Sequence, residues 1–276
     1  MKRTLFIVGW LVLATQIPLW GYDTSPSNWQ IVPEVIWAAA TGGGTWVTEL
    51  QITSFSGTSV DIYVGFAYNG GYRELTLYAS LAADHSVRFP NVLSQMQTID
   101  PSFTYYGRVG ALWIEASSSG LIQAQARTVN GNYGKTFPGL NIVAGNTAAS
   151  GRPMIIQDIV RSDTYRTSVG LFNTTDREFT AEFWVVDATG ATVGSSFTKT
   201  IPGYGFLSFN PFVQAGITSG TYENCLLYFE VTAGSGATEG LMCYGSIANN
   251  YTNDTYALIA KQYGLGSSAP PDPLRY

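Results

Sequence analysis

The sequence predicts an all-β protein of two tandem antiparallel β-sandwich domains related by internal duplication, and three observations lead to this prediction. Aromatic residues make up 14% of the 276 residues, whereas charged residues make up only 12%. Aromatic side chains pack well on a pleated surface, and the helix formers Lys and Glu are scarce. Short runs of alternating apolar and polar residues recur between clusters of Gly, Asn and Ser, and most of these runs occur twice along the chain.

The duplication is visible as ordered matches between the two halves of the chain. Residues 45–54 (TWVTELQITS) match 164–173 (TYRTSVGLFN) at an offset of 119 residues, with the same alternation. The same offset aligns 60–64 with 179–183, and further matches follow in the same order. One such match means little, but an ordered series over about a hundred residues indicates a repeated structural unit.

The repeat sets the predicted domain boundaries. We predict a signal peptide at 1–21, β-sandwich units at 22–136 and 152–262, a Gly/Ala/Asn-rich linker at 137–151, and a flexible tail at 263–276. The signal peptide is predicted from Lys2 and Arg3, which precede an apolar stretch that is too short to span a membrane. A short uncleaved anchor or a buried strand is the alternative for this stretch.

Alternation within each unit predicts seven short strands and one side that faces the core. The strands are predicted near 32–39, 46–55, 59–67, 72–79, 85–89, 108–116 and 120–129, and near 152–160, 164–173, 178–187, 192–200, 204–209, 223–232 and 239–248. One helical turn is predicted at 91–96 and another at 211–216. The residues predicted to face the core are Trp46, Leu50, Ile52, Val60, Ile62, Val64, Leu75, Leu77, Leu112 and Ile114, and Tyr165, Val169, Leu171, Phe179, Phe183, Val185, Phe197, Leu227 and Phe229.

The strand pattern carries a resemblance to a known architecture. About seven short strands per unit, with the repeated T-[WY]-x-T-x-[LV]-x-[IL] strand at Thr45 and Thr164, resemble the tandem immunoglobulin-like or jelly-roll sandwiches of secreted bacterial surface proteins. The resemblance covers nearly the whole predicted mature chain. The antibody-type Cys…Trp…Cys pattern is absent, because the first unit has no Cys. The resemblance implies a structural, adhesive or spacer role at the cell surface.

The two cysteines lie in the second unit. Cys225 and Cys243 flank a Gly-rich segment, 232–237, that is typical of a hairpin turn. Strands paired across such a turn would bring the two Cβ atoms close enough for a disulfide, which suits an oxidising extracellular compartment. The alternative is two buried thiols. The sequence favours the disulfide.

Charge and motif content argue against catalysis and against nucleic-acid binding. The net charge is −5, and no cluster of Lys and Arg forms a basic stripe. His85 is the only histidine, and its neighbours Asp84 and Ser86 do not face it on an extended strand. No zinc-ligand spacing, calcium loop, P-loop or dinucleotide fingerprint occurs. We therefore expect no enzymatic activity, no cofactor and no bound metal.

Surface residues of three kinds are candidates for contacts. The aromatic residues on the parity opposite to the core are Tyr63, Tyr78, Trp113, Trp184 and Tyr228. If exposed, they offer platforms for sugar stacking or anchors in a protein interface; the alternative is that the other unit or a loop covers them. Glu115 and Glu230 occupy corresponding positions, for which a packing or turn role is expected. Sequons mark candidate glycosylation sites at Asn173, Asn250 and Asn253.

The function that the sequence favours is a non-enzymatic extracellular structural protein, a surface or filament-forming subunit. It would associate with itself or with other surface proteins, and no transmembrane segment is expected in the mature chain. The segment with Trp29, Ile31, Val35 and Trp37 is a candidate for strand exchange with a neighbouring subunit, or it forms the first strand of its own unit. The second hypothesis is a carbohydrate-binding or adhesive module that binds glycans through the exposed aromatics.

Overall fold

The computed structural model describes residues 23–40, 43–142, 147–148, 151, 153–234, 240–252 and 254–262. Antiparallel strands make up most of these residues, which confirms the predicted all-β sandwich class. The predicted signal peptide (1–21) and tail (263–276) lie outside the described residues. No helix within the described ranges is long and apolar enough to cross a membrane.

The described residues of the N-terminal half form eight strands and one short α-helix. Their bounds are β1 (Trp29–Ala39), β2 (Thr45–Ser54), β3 (Val60–Tyr68), β4 (Gly71–Leu81), β5 (Ser86–Phe89), α1 (Val92–Ile99), β6 (Arg108–Ala116), β7 (Ile122–Asn130) and β8 (Tyr133–Pro138). A single 3₁₀ turn, Ser117–Ser119, separates β6 from β7. The helix begins where the Asn91 side chain accepts a hydrogen bond from the Ser94 amide, 3.1 Å away. The predicted helical turn is thus confirmed, whereas β8 lies where no strand was predicted.

In the C-terminal half, the part of the chain that the structure describes forms nine strands and a second short helix. Their bounds are β9 (Met154–Arg161), β10 (Tyr165–Asn173), β11 (Phe179–Val186), β12 (Thr192–Ile201), β13 (Phe206–Phe209), α2 (Pro211–Gln214), β14 (Tyr222–Ala233), β15 (Leu241–Asn249), β16 (Thr255–Ile259) and β17 (Lys261–Gln262). Asn210 caps α2 and Pro211 occupies its first turn, where a missing amide proton costs nothing. The second predicted helical turn is also present.

The two halves have the same strand order. In the N-terminal half, β4-β3-β6-β1 form one layer, and β2 with its partners β5 and β7, followed by β8, forms the other. In the C-terminal half, β12-β11-β14-β9 correspond to the first layer and β13-β10-β15-β16 to the second. The halves differ in two respects: the end of β1 continues onto β2 (Trp37 opposite Val47) and joins both layers into one sheet, and β17 adds a fifth strand beside β9.

One buried threonine in each half makes the same unusual contact. The Thr48 hydroxyl accepts a hydrogen bond from the Ile36 amide at 2.8 Å, and it lies 3.3 Å from the Ile36 carbonyl. The Thr167 hydroxyl contacts the amide and the carbonyl of Val160 at 2.9 and 2.8 Å. In both places the hydroxyl makes the backbone hydrogen bonds that a neighbouring strand would otherwise make with the first strand of the half. Duplication of one unit would account for this agreement; the domain boundaries stay a prediction.

Each half has its own apolar core, and a third cluster lies between them. Most residues predicted to face the core are buried, including Leu50, Ile52, Phe183 and Phe229. Trp46, Leu75 and Phe197 are only partly buried, and Tyr165, the first residue of β10, is 38% exposed. The cluster between the halves consists of Ile31, Ala67, Ala111, Phe137 and Leu140 with Phe172, Phe206, Met242 and Tyr244. The outer face of the first layer is therefore partly covered by the C-terminal half.

Candidate functional site

A pocket opens on the uncovered part of that outer face, across β4, β3 and β6. The strand register forms a two-by-three array: Tyr63 lies opposite Thr76 and Glu115, and Gly65 lies opposite Glu74 and Trp113. Because residues two apart on a strand share a face, all six positions point outward. The cavity has a volume of about 300 Å³, and Tyr72 completes its wall. We call it the Gly65 pocket; its residues are Tyr63, Gly65, Tyr72, Glu74, Thr76, Trp113 and Glu115.

The absence of a side chain at Gly65 lets the Tyr72 ring lie against this strand. A Cβ at Gly65 would lie 2.3 Å from the Tyr72 hydroxyl oxygen, so the Tyr72 ring extends over the glycine. The Tyr72 and Trp113 rings are stacked neighbours, with centroids 6.3 Å apart and an interplanar angle of 28°. A ligand in the pocket would therefore contact the edges of these rings and would not fit between them.

Hydrogen bonding holds Tyr72 and Glu74 together at one side of the pocket. The Tyr72 hydroxyl donates to Glu74 Oε1 at 2.5 Å. Burial and the neighbouring Glu74 carboxylate raise the pKa of Tyr72 well above its usual range. The hydroxyl therefore stays a donor at any physiological pH, and it fixes one oxygen of Glu74 while the other remains available.

Trp113 lies next to Tyr72 and is held by aromatic neighbours. Its ring centroid lies 4.4 Å from that of Trp29 and 5.8 Å from that of Tyr204, which also stacks on Tyr72 at 5.6 Å. Tyr204 belongs to the turn between β12 and β13, so a residue of the C-terminal half supports the pocket. The indole nitrogens of Trp113 and of Trp184 in the C-terminal half are both buried without a hydrogen-bond partner among the described residues.

The corresponding surface of the C-terminal half differs at the position of Gly65. Trp184 occupies the place of Gly65, opposite Tyr228, and the two rings stack at 5.8 Å with an interplanar angle of 5°. Glu182 and Glu230 lie opposite each other beside them. A large ring thus stands at this position in the C-terminal half, whereas in the N-terminal half the Tyr72 ring covers a glycine.

A second polar site lies between the halves, under the first layer. Lys135 on β8 and Glu34 on β1 form an ion pair of 2.7 Å, and each side chain is 7% exposed. Lys135 also donates to the Ser246 hydroxyl, and the buried Tyr244 hydroxyl hydrogen-bonds to Glu34. We call these four residues the Lys135 cluster. They line a cavity of about 210 Å³ together with Trp46.

A β-bulge explains how Glu34 reaches this position. The β1–β6 ladder shifts register between Val32 and Val35, so Pro33 and Glu34 are not paired in it. Proline tolerates such a place because it has no amide proton to donate. The cluster joins the halves through charge and hydroxyl groups, and it was not predicted from the sequence.

The five predicted surface aromatics differ in exposure and in position relative to the pocket. Tyr63 and Tyr78 are 40% and 39% exposed, but only Tyr63 lies in the Gly65 pocket, since Tyr78 packs edge-on against Phe89 at 6.2 Å. The other three, Trp113, Trp184 and Tyr228, are partly buried. Sequence reasoning missed Gly65, Tyr72 and Glu74. The offset of 119 residues contained the signal for Gly65, because it aligns this glycine with Trp184.

The predicted disulfide is wrong. Cys225 and Cys243 are both free and buried. Cys225 lies on β14, which pairs with β9 and β11, whereas Cys243 lies on β15, which pairs with β10 and β16. The Gly-rich segment thus connects two sheets instead of closing a hairpin. Burial raises the pKa of Cys225 to about 11 and that of Cys243 well above its usual value, so both are unreactive thiols.

The segment considered for strand exchange is paired within its own chain. The segment with Trp29, Ile31, Val35 and Trp37 is β1, which pairs with β6 and β2 of its own chain. Ile31 and Val35 are 1% and 0% exposed. Release of this strand would open the core, so the segment forms part of its own sheet, the alternative that the sequence left open.

The three sequons differ in accessibility. The Asn173 side chain is fully buried, and its amide donates to the Pro202 carbonyl at 3.0 Å, so a glycan on the folded chain is excluded there. Asn250 is exposed; its amide donates to the Asp163 carbonyl at 2.9 Å. Asn253 lies outside the described residues. Asn250 therefore remains a candidate.

Within the described ranges, no cluster of three or more His, Cys, Asp and Glu side chains could hold a metal ion. His85 is exposed in the turn between β4 and β5, and its Nδ1 lies 2.7 Å from the Ala83 carbonyl. This position is the loop or strand edge that the sequence indicated.

No family model and no curated protein matches the chain. Among solved structures, the C-terminal domain of the Streptococcus pyogenes antigen I/II-family protein AspA is 9% identical, with 87% of this chain and 100% of that chain covered and a TM-score of 0.19. The Pleurotus ostreatus lectin in complex with GalNAc is 12% identical, with coverages of 87% and 86% and a TM-score of 0.20. The same lectin in its apo form is 12% identical, with coverages of 91% and 90% and a TM-score of 0.20. Similarities at this level carry no argument about function.

Proposed function

We propose that this chain is a non-enzymatic adhesive module of the cell exterior that binds carbohydrate in the Gly65 pocket. The observation that carries the proposal is the outward-facing combination of Tyr63, Tyr72 and Trp113 with Glu74 and Glu115 around a glycine. Aromatic rings stack on the apolar faces of sugars, and carboxylates accept hydrogen bonds from sugar hydroxyls. The extracellular location rests on the N-terminal segment predicted to be a signal peptide.

Preorganisation of the pocket supports binding. The Tyr72 ring is held over Gly65 and hydrogen-bonded to Glu74, and Trp113 is packed between Trp29 and Tyr204. Side chains that are already ordered lose little conformational entropy when a ligand binds. A weak but specific site of this kind suits an adhesin that presents many copies on one surface, because multivalency multiplies modest affinities.

The experiment is a glycan array with the mature chain, followed by calorimetry with the best ligand. Tyr63→Ala should weaken binding about three- to tenfold, the loss expected for one aromatic contact of about 0.5–1.5 kcal/mol. Tyr78→Ala is the matched control, because Tyr78 is equally exposed but lies outside the pocket. The proposal fails if no glycan binds, or if Tyr78→Ala weakens binding as much as Tyr63→Ala does.

A surface or filament-forming subunit is the second candidate, and two sheet edges favour it. Within the described residues, β4 pairs only with β3, and β12 pairs only with β11. β12 spans 10 residues, is mostly Ser and Thr on its exposed face, and carries one charged residue, Lys199. The Ser195 amide of β12 donates to the Ala215 carbonyl at 3.0 Å, and the rest of such an edge can pair with a second chain.

Light scattering and electron microscopy of the purified chain test this second candidate. Association through β12 predicts that Ser196→Lys disfavours it, since a charge on an edge strand opposes pairing. Thr58→Lys, in the exposed loop before β3, is the control. A monomer at high concentration with no filaments would rule out self-assembly and leave the carbohydrate proposal intact.

A further inference from the structure

We propose that the Gly65 pocket selects a positively charged sugar, one that carries a free amine, over neutral, N-acetylated or acidic sugars. This inference rests on the proposed function and names the ligand class of the same site. It follows from the charges, the hydrogen-bonding groups and the aromatic rings that line the pocket.

The pocket carries two negative charges and no positive one. Glu74 and Glu115 are its only charged lining residues. Arg73, beside Glu74 on β4, points to the opposite face, where its guanidinium lies 4.8 Å from the Phe103 ring centroid. By contrast, Glu49 on β2 is paired with Arg88 at 2.8 Å. Neither Glu74 nor Glu115 forms an ion pair among the described residues, so both can attract a cation.

The hydrogen-bonding groups of the pocket also match an ammonium group. An ammonium has three donors and no acceptor, and a carboxylate has only acceptors. The Tyr72 hydroxyl already donates to Glu74 Oε1. The second oxygen of Glu74 and the carboxylate of Glu115 can therefore accept hydrogen bonds from a ligand. An N-acetyl group would place an apolar methyl and a carbonyl acceptor against these carboxylates. An acidic sugar would be repelled by both.

Aromatic rings strengthen the preference for a cation. Tyr63 is 40% exposed and lines the cavity beside Tyr72 and Trp113, and an exposed ring face attracts an ammonium group through the ring quadrupole. The C-terminal half carries the same types of residue, Glu182, Glu230, Trp184 and Tyr228, but there the Trp184 and Tyr228 rings stack on each other. A ring face that is already stacked offers less to a cation. We therefore assign the amine selectivity to the Gly65 pocket.

Calorimetry with three β-1,4-linked hexasaccharides tests this inference: glucosamine, N-acetylglucosamine and glucose. At about pH 6, simple amines are protonated and simple carboxylates are ionised. The glucosamine hexamer should bind about tenfold more tightly than the other two, and the preference should fall at high salt. Glu74→Gln and Glu115→Gln should each reduce the preference severalfold without changing the binding of the glucose hexamer.

Glu182→Gln is the matched control, because it removes one carboxylate from the equivalent surface of the C-terminal half. It also corrects for the change in net charge of the whole chain. If Glu182→Gln reduces the preference for the glucosamine hexamer to the same extent as Glu74→Gln, the selectivity comes from the overall charge of the chain. The inference then fails. Thermal unfolding of each variant verifies that it is folded.

The other outcomes separate this inference from the proposed function. Equal binding of the three hexamers, with Tyr63→Ala still harmful, would overturn the amine selectivity and retain the carbohydrate site. If Glu74→Gln binds the glucosamine hexamer with unchanged affinity, the amine selectivity is overturned as well. Absence of binding to all three hexamers and to every glycan of the array would overturn both.

Discussion

Replacement of Lys135 by Met should cost this protein about 3 kcal/mol of unfolding free energy. The ammonium of Lys135 lies 2.7 Å from Glu34 Oε1, and both side chains are 7% exposed. At an effective dielectric constant of about 20, two charges at this separation attract each other by roughly 6 kcal/mol before desolvation is counted. Removal of one partner from a buried pair costs about 3–5 kcal/mol, because the other charge stays buried without compensation. The hydrogen bond from Tyr244 to Glu34 survives, which favours the lower end of that range.

The assay is urea unfolding of the wild type, Lys135→Met, Glu34→Gln and the double variant. The double variant should lose less than Lys135→Met alone, since no unpaired charge remains in it. Arg88→Ala is the control, because Arg88 and Glu49 form a pair of 2.8 Å whose side chains are 61% and 23% exposed. Its loss should stay below about 1 kcal/mol.

Equal losses for Lys135→Met and Arg88→Ala would refute this reasoning. A loss below about 1 kcal/mol at Lys135 would mean that water reaches the pair and screens it. The Lys135 cluster connects β1 and β8 to β15. A small loss at Lys135 would therefore also mean that this ion pair does little to hold the two halves together.

Three further predictions follow from single residues. Ellman titration of the unfolded, unreduced chain should find two thiols. Burial raises the pKa of Cys225 to about 11 from 9.0, so the stability that this thiol contributes is complete below about pH 9 and is lost as the pH rises through 11. This pH dependence of the unfolding free energy should be absent in Cys225→Ala. Asn173→Ala should destabilise the fold by about 1–3 kcal/mol in urea titrations, because the buried carbonyl of Ile201 and the carbonyl of Pro202 lose their donor, and mass spectrometry should find no glycan at Asn173. Tyr204→Ala should weaken ligand binding in the Gly65 pocket severalfold, because Tyr204 stacks on Tyr72 and Trp113. Tyr204→Phe keeps the ring and should not weaken binding. Unchanged calorimetric affinity in Tyr204→Ala would show that the pocket needs no support from the C-terminal half.

Local alternation predicted the strands and most of the core, because the face of a residue on a strand depends only on its parity. Leu50, Ile52 and Phe183 are buried for this reason. The failures concern relations between distant strands. The pairing of Cys225 with Cys243 assumed that strands adjacent in sequence are adjacent in a sheet, and here they belong to different sheets. The contact of Glu34 with Lys135 depends on a bulge and on the position of β8, neither of which a local pattern reveals.

The comparison of the two halves changes what a repeat says about function. The shared features, such as Thr48 and Thr167, hold the strands together and therefore report on stability. The candidate site lies where the halves differ, because the Tyr72 ring covers Gly65 in one half and the Trp184 ring stands at that position in the other. A duplicated fold allows this division, since both copies keep the scaffold while one position differs between them. Gly65→Trp would restore the symmetry: it should abolish binding in the pocket, and if binding persists, the site lies elsewhere on the chain.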